Sequence, residues 1–247
     1  MTNAVPPPSR TTAYGGDSAQ VYDVREPTRA AIGVTVVVVH GGFWKAEWDR
    51  VHAAPQAQAL ADTGYHVVVV EYRRTGMPGG GWPGTFTDVL TAVGAVCVDP
   101  SVPERCVLVG HSAGGHLVAL AAARPEAARL AGVVSLAGNV DLALVRDLHL
   151  GDDAARRFLG DAPDDAESWA DADPARHPPR VPVVLVHGDE DDTVPLAVSE
   201  SYVAATQGRG GPVKLRRIPG AGHFELIDPS HEAFSSTLES VAELAPS

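Results

Sequence analysis

The stretch Val107-Leu-Val-Gly110-His111-Ser112-Ala113-Gly114 sets one serine between two glycines. A run of branched apolar residues precedes it and an alanine- and leucine-rich run follows. Strand-forming residues entering and helix-forming residues leaving demand a sharp turn, and G-x-S-x-G is the spacing that puts the serine Oγ at its tip. The flanking glycines let the backbone pass close to its neighbours where a Cβ would clash. The following helix aims its first amides at whatever the hydroxyl attacks. A serine hydroxyl is a poor nucleophile until a base removes its proton, and that base needs an orienting carboxylate.

Candidates for both partners lie further along the chain, each after a strand-like run. Val183-Val-Leu-Val186 leads into His187-Gly-Asp189-Glu190-Asp191-Asp192-Thr-Val-Pro195, and Lys214 to Ile218 leads into Pro219-Gly-Ala-Gly222-His223-Phe224. Nearer the N-terminus, Val34 to Val39 runs straight into His40-Gly41-Gly42-Phe43-Trp44. The chain has ten histidines. His231 opens a helix, His40 and His187 end strands in H-G turns where they brace loops, and His111 and His116 flank the serine but point elsewhere on the turn.

These four stretches, in this order, resemble the α/β-hydrolase superfamily of serine esterases. The resemblance implies a catalytic triad of Ser112, Asp191 and His223, with Asp192 as the runner-up acid and Asp189 and Glu190 as loop carboxylates. It also implies an oxyanion hole formed by the N–H groups of Gly42, Phe43 and Ala113. Such chemistry uses no cofactor, and the His and Asp residues lack metal-ligand spacing.

H-G-G followed by Phe43-Trp44, and the elbow Gly110-His-Ser-Ala-Gly-Gly-His116-Leu117, are similar to kynurenine formamidases and arylformamidase-like relatives. Glu71-Tyr72-Arg73 and Gly79-Gly-Gly-Trp82-Pro83 occur in the same neighbourhood. Small esterases of acetylated or feruloylated sugars and peptidase-like enzymes share much of this pattern. The expected activity is hydrolysis of small carboxylic esters or an aryl formamide. Trp44, Trp82 and His111 are candidate pocket residues, though aromatics on such loops serve equally to close a core. Two alternatives stand beside this. One is a serine peptidase of the prolyl-oligopeptidase type, which normally carries a propeller domain that 247 residues do not accommodate. The other is an inactive ligand receptor, which usually loses a triad member.

Composition narrows the partners. A formal net charge of −12 leaves no basic stripe to neutralise phosphates, which argues against nucleic acid. The apolar runs are too short to span a bilayer. Met1 to Ser18 is polar and proline-rich with no secretory h-region, so a flexible lead-in and a cytoplasmic protein are expected. Cys97 and Cys106 read as buried reduced thiols. The expected partner is a small-molecule ester or amide, with no nucleic acid and no membrane; a homodimer is compatible with the sequence.

The elements that must position these groups alternate. Strand signals at 34–39, 66–70, 106–109, 132–136, 181–186 and 213–218 are separated by helical patterns near 53–62, 86–96, 113–123 and 196–206, with a last helix at 231–244. Strand–helix alternation predicts an α/β fold, a mostly parallel twisted sheet with helices on both faces. Residues 19–247 read as a single domain. Residues 139–180 are more than a connection needs and read as a small helical lid or, equally, as a crossover helix with a decorated surface loop.

Overall fold

Valine runs at 36–39 and 67–70 need cover on both sides of a sheet. The computed structural model, which describes residues 5–160 and 166–245, supplies it. Its strands are β1 (Arg10–Ala13), β2 (Val21–Arg25), β3 (Thr35–Val39), β4 (His66–Val70), β5 (Cys106–His111), β6 (Leu130–Leu136), β7 (Val183–Gly188) and β8 (Val213–Ile218). They form one sheet in the order β1-β2-β4-β3-β5-β6-β7-β8. β2 pairs antiparallel with β1 and β4, and every pair from β4 to β8 is parallel. This is the α/β-hydrolase architecture.

Successive strand residues face opposite sides, which divides the core in two. Val36, Val38, Val67, Val69, Val107 and Val109 pack with Leu60 of α1 (Ala54–Asp62) and Val241 of α8 (Phe234–Leu244). Val37, Val39, Val68, Val70 and Leu108 face the other way. They meet α2 (Gly84–Val96), α3 (Ala113–Ala122) and α7 (Ala197–Gln207) through Val89, Leu117 and Val198. Each buried valine contributes about 1.5–3 kcal/mol of transfer free energy, so a charge at Val109, which is 0% exposed, would break the central layer.

The order of crossovers fixes where a ligand can sit. From β3 the chain steps to β4 on one side, then returns across to β5 on the other. Adjacent connections diverge there and leave a crevice outside the carboxyl ends of β3 and β5. Val39 pairs with both Val70 and Gly110, so the ends of β3, β4 and β5 are level.

The expected lead-in is too long by one strand. Arg10–Ala13 pairs with β2, and neither strand shows in the sequence because Arg-Thr-Thr-Ala, at the sheet edge, and Val-Tyr-Asp-Val-Arg, next to it, mix polar and apolar residues. Between β6 and β7 the chain forms α4 (Leu142–Asp147), α5 (Leu150–Leu159) and α6 (Ala166–Ala172). Their residues Leu142, Val145, Phe158 and Trp169 are buried in the core; residues 161–165 of the expected insertion lie outside the described residues. Cys97 and Cys106 are buried and free, with sulfurs 3.9 Å apart. Among the described residues no helix is long and apolar enough to cross a membrane.

Candidate active site

Ser112 follows β5 directly and has φ 54°, ψ −116°, a left-handed conformation that a residue with a side chain adopts at a cost of about 1–3 kcal/mol. The turn is held on both sides: Ser112 N–H donates to Leu136 O at 2.8 Å, and Ser112 O accepts from His116 N–H at 3.1 Å and Asn139 N–H at 3.2 Å. Gly110 and Gly114 explain why only glycine fits beside it. A Cβ on Gly110 would lie 2.2 Å from Gly114 O, and one on Gly114 would lie 2.1 Å from Val39 O. α3 starts at Ala113, so its first N–H groups have no helical acceptor one turn back.

His40-Gly41-Gly42-Phe43 leaves the carboxyl end of β3 beside this elbow. Gly42 has φ +110°, and a Cβ there would meet Trp48 Cβ at 2.4 Å. The loop is anchored from below. His40 Nε2 donates to Glu71 Oε1 at 3.0 Å, its ring stacks on Tyr72 with centroids 4.3 Å apart, and Tyr72 Oη donates to His40 O at 2.7 Å. Burial would raise the Glu71 carboxyl, but the hydrogen bond from His40 and the Arg50 and Tyr72 amides outweigh it and hold it below its usual value.

Asp191 and His223 reach the same edge from the ends of β7 and β8. His223 Nδ1 donates to Asp191 Oδ2 at 2.7 Å, and Asp191 Oδ1 accepts from Thr193 N–H at 2.9 Å and Val194 N–H at 2.8 Å. Burial pushes the Asp191 carboxyl up, yet hydrogen bonds from His187 and His223 prevail and hold it well below the carboxylate range. His187 has Nε2 3.3 Å from Asp191 Oδ2 and Nδ1 2.7 Å from Ser199 Oγ, so it braces the acid loop. Asp192 is exposed.

Ser112, His223 and His111 line one cavity of about 100 Å³, together with Gly42, Phe43, Trp48, His52, Thr193 and Phe224. His111 Nε2 donates to His223 O at 3.0 Å and ties the elbow strand to the histidine loop. Burial, then the nearby His223, lowers the His111 pKa well below its usual value, so it is a neutral donor there.

Two expected pocket residues are elsewhere. Trp44 is 0% exposed, stacked on Phe158 at 4.7 Å and edge-on to His116 at 5.1 Å, inside the core. It does not line the cavity that the neighbouring Phe43 lines, although both residues have positive φ, 57° and 50°. Trp82 stacks on Phe86 at 5.6 Å, packs against the same core and does not line the cavity. The rim is instead Trp48, His52 and Phe224. Trp48 and Phe224 are 43% and 50% exposed. Phe224 carries a readable signal, since it directly follows His223 in sequence. Among the described residues no group of three His, Cys, Asp or Glu side chains is arranged to hold a metal ion.

Comparison with known proteins matches this architecture. The family model described as the prolyl oligopeptidase family matches residues 51–239, which takes in Ser112, Asp191 and His223 but not the His40–Trp44 loop. "Probable carboxylic ester hydrolase LipM" of Mycobacterium tuberculosis (strain ATCC 25618 / H37Rv) is 28% identical over 237 residues, 86% of this chain and 54% of its own length. Kynurenine formamidase of Salmo salar is 32% identical over 108 residues, 43% of this chain and 36% of its own. The chain thus spans about half the length of the first curated relatives it matches. The solved structure titled "Truncated form of carbohydrate esterase from gut microbiota" superposes with a TM-score of 0.78 at 19% identity, covering 96% of each chain, a likeness of fold. With the family model spanning most of the sheet, the chain belongs to the prolyl oligopeptidase family, built on the α/β-hydrolase fold.

Proposed function

We propose that the protein is a serine hydrolase of small carboxylic esters, or of an aryl formamide. The observation that carries this is the 2.7 Å Asp191–His223 hydrogen bond behind an imidazole that shares a cavity with the strained Ser112. Ser112 Oγ attacks the carbonyl carbon while its proton passes to His223 Nε2, the nitrogen not engaged with Asp191. The carbonyl oxygen, now negative, accepts from the N–H groups of Gly42, Phe43 and Ala113. The tetrahedral intermediate expels the alcohol or amine, which takes the proton from Nε2, and leaves an acyl-serine. Water then attacks, giving its proton to the same imidazole, and the carboxylic acid departs. Asp191 holds the imidazole in its Nδ1–H tautomer and offsets its charge.

The cavity bears on substrate size. At about 100 Å³ it is well below the roughly 300–1,000 Å³ of drug-sized sites, which favours a short acyl or formyl group. Trp48 and Phe224 at the opening favour a flat leaving group. The family match supports a second reading, cleavage of prolyl peptide amides.

The test is kinetic. Ser112→Ala should lose both p-nitrophenyl acetate hydrolysis and fluorophosphonate labelling; full turnover by this variant refutes the assignment. Rates on N-formylkynurenine, acetylated sugars and a prolyl peptide amide then rank the substrate classes. Faster amide cleavage than ester cleavage would favour the peptidase.

A further inference from the structure

A second cavity, of about 400 Å³, shares a wall with the catalytic one. The 3₁₀ turn Arg50–Ala53 separates them: Arg50 and Val51 line the second cavity, His52 the first. The remaining walls are largely apolar, from the prolines at 6–8, Ala54 and Val69, and the charged residues are Arg25, Arg50 and Asp23.

Arg25 is unusual among these. It is 5% exposed, and among the described residues no carboxylate oxygen lies within 4 Å of its guanidinium. Its Nη1 donates to Pro6 O at 2.7 Å and to Gln58 Oε1 at 2.9 Å, while its Nε–H is buried without an acceptor. Asp23 is committed elsewhere, accepting from Arg50 Nε at 2.8 Å and from Thr11 Oγ1 at 2.6 Å. Burial lowers the Arg25 pKa, with the more distant Asp23 opposing. A buried guanidinium facing only neutral acceptors has lost hydration without gaining a counter-charge, and a carboxylate is the group whose planar pair of oxygens matches it.

We propose that this cavity binds a small organic carboxylate, its oxygens accepting from Arg25 and its apolar chain lying along the prolines, Ala54 and Val69. The occupant sits against a turn that reaches the chemistry. Arg50 N–H donates to Glu71 Oε2 at 3.0 Å, Glu71 holds His40 at the head of the Gly42–Phe43 loop, and His52 enters the catalytic cavity.

Calorimetric titration with sodium hexanoate tests this, with inorganic phosphate as the comparison anion. The wild-type protein binds hexanoate, and phosphate at the same concentration gives no heat. Arg25→Met, and Ala54→Leu which narrows the cavity from its wall, each weaken hexanoate at least tenfold. The proposal is overturned by no binding in the wild type, by phosphate binding as tightly as hexanoate, or by unchanged affinity in Arg25→Met, which would assign the hexanoate to the catalytic cavity. Arg25 also ties down Pro6 and Gln58. If its variant does not fold, Ala54→Leu, at a half-buried site, decides alone, and unchanged affinity there is equally fatal.

Discussion

The Asp191 carboxylate uses one oxygen for His223 and the other for the Thr193 and Val194 amides, so it cannot turn away from the imidazole. Its neighbour in sequence, Asp192, is exposed. Asp191→Asn keeps the shape but removes the charge and favours the wrong imidazole tautomer. A fall in kcat of roughly 10⁴-fold is expected, the size of this effect in the serine-protease triad. Asp192→Asn should stay within about twofold, because a solvated carboxylate contributes little to a site it does not touch. Steady-state kinetics on p-nitrophenyl acetate compares them; equal losses would reassign the acid.

Gly42 stands where a side chain is refused twice, by a φ of +110° and by Trp48 Cβ at 2.4 Å. Gly42→Ala must shift the loop and with it the amides proposed to face the oxyanion. Loss of one such donor costs about 10²–10³-fold in kcat. The variant should keep its thermal stability to within a few degrees while losing that activity. Wild-type kcat would remove the loop from the mechanism.

The two groups of aromatics should separate cleanly by assay. Trp48 and Phe224 are exposed at the cavity, whereas Trp44 is buried against Phe158. Trp48→Ala or Phe224→Ala should raise KM for p-nitrophenyl acetate by about 2- to 10-fold, the 0.5–1.5 kcal/mol of an aromatic contact, and leave KM for methyl acetate unchanged. Trp44→Ala should instead cost about 3–5 kcal/mol of stability, read as a lower urea midpoint. Equal KM effects on both esters would deny a flat leaving group.

Acid should destabilise the fold through buried imidazoles. Burial lowers the His116 pKa to about 4, with its hydrogen bond to Ala172 O opposing. Unfolded histidine takes up its proton near about 6.5, so between these values the unfolded state binds more protons and stability rises with pH. The loss therefore develops as pH falls from about 6.5 to about 4, roughly 2–3 kcal/mol by pH 4.5 from this group. His116→Gln keeps a donor toward Ala172 and does not titrate. Its Tm should fall less than wild type between pH 7 and 4.5; parallel falls would place the acid sensitivity elsewhere.

Much of the candidate site was legible because its parts are short and each follows a strongly patterned strand. The β-branched runs before His40 and Ser112, and the strand before Asp191, announce buried parallel strands and hence a common carboxyl edge. What stayed hidden was direction. Phe43 and Trp44 are adjacent aromatics on one loop with nearly equal φ, 50° and 57°, yet one lines the cavity and the other fills the core, stacked on Phe158, more than one hundred positions away. β1 and β2 escaped for a different reason: β1 is an edge strand with alternate residues exposed, and β2 beside it interleaves polar with buried apolar residues, so neither carries a continuous apolar run. His52 reaches the cavity from a 3₁₀ turn without a sequence periodicity of its own.

The sheet order has a consequence for durability. Ser112 extends from β5, flanked by β3 and β6, but His223 hangs from β8, which among the described residues has β7 as its sole hydrogen-bonded neighbour strand. Fraying begins at borders, where each residue is tethered from one direction. Under gentle warming or dilute urea the imidazole should drift off while the central strands persist, so inactivation runs ahead of global melting and reverses on cooling.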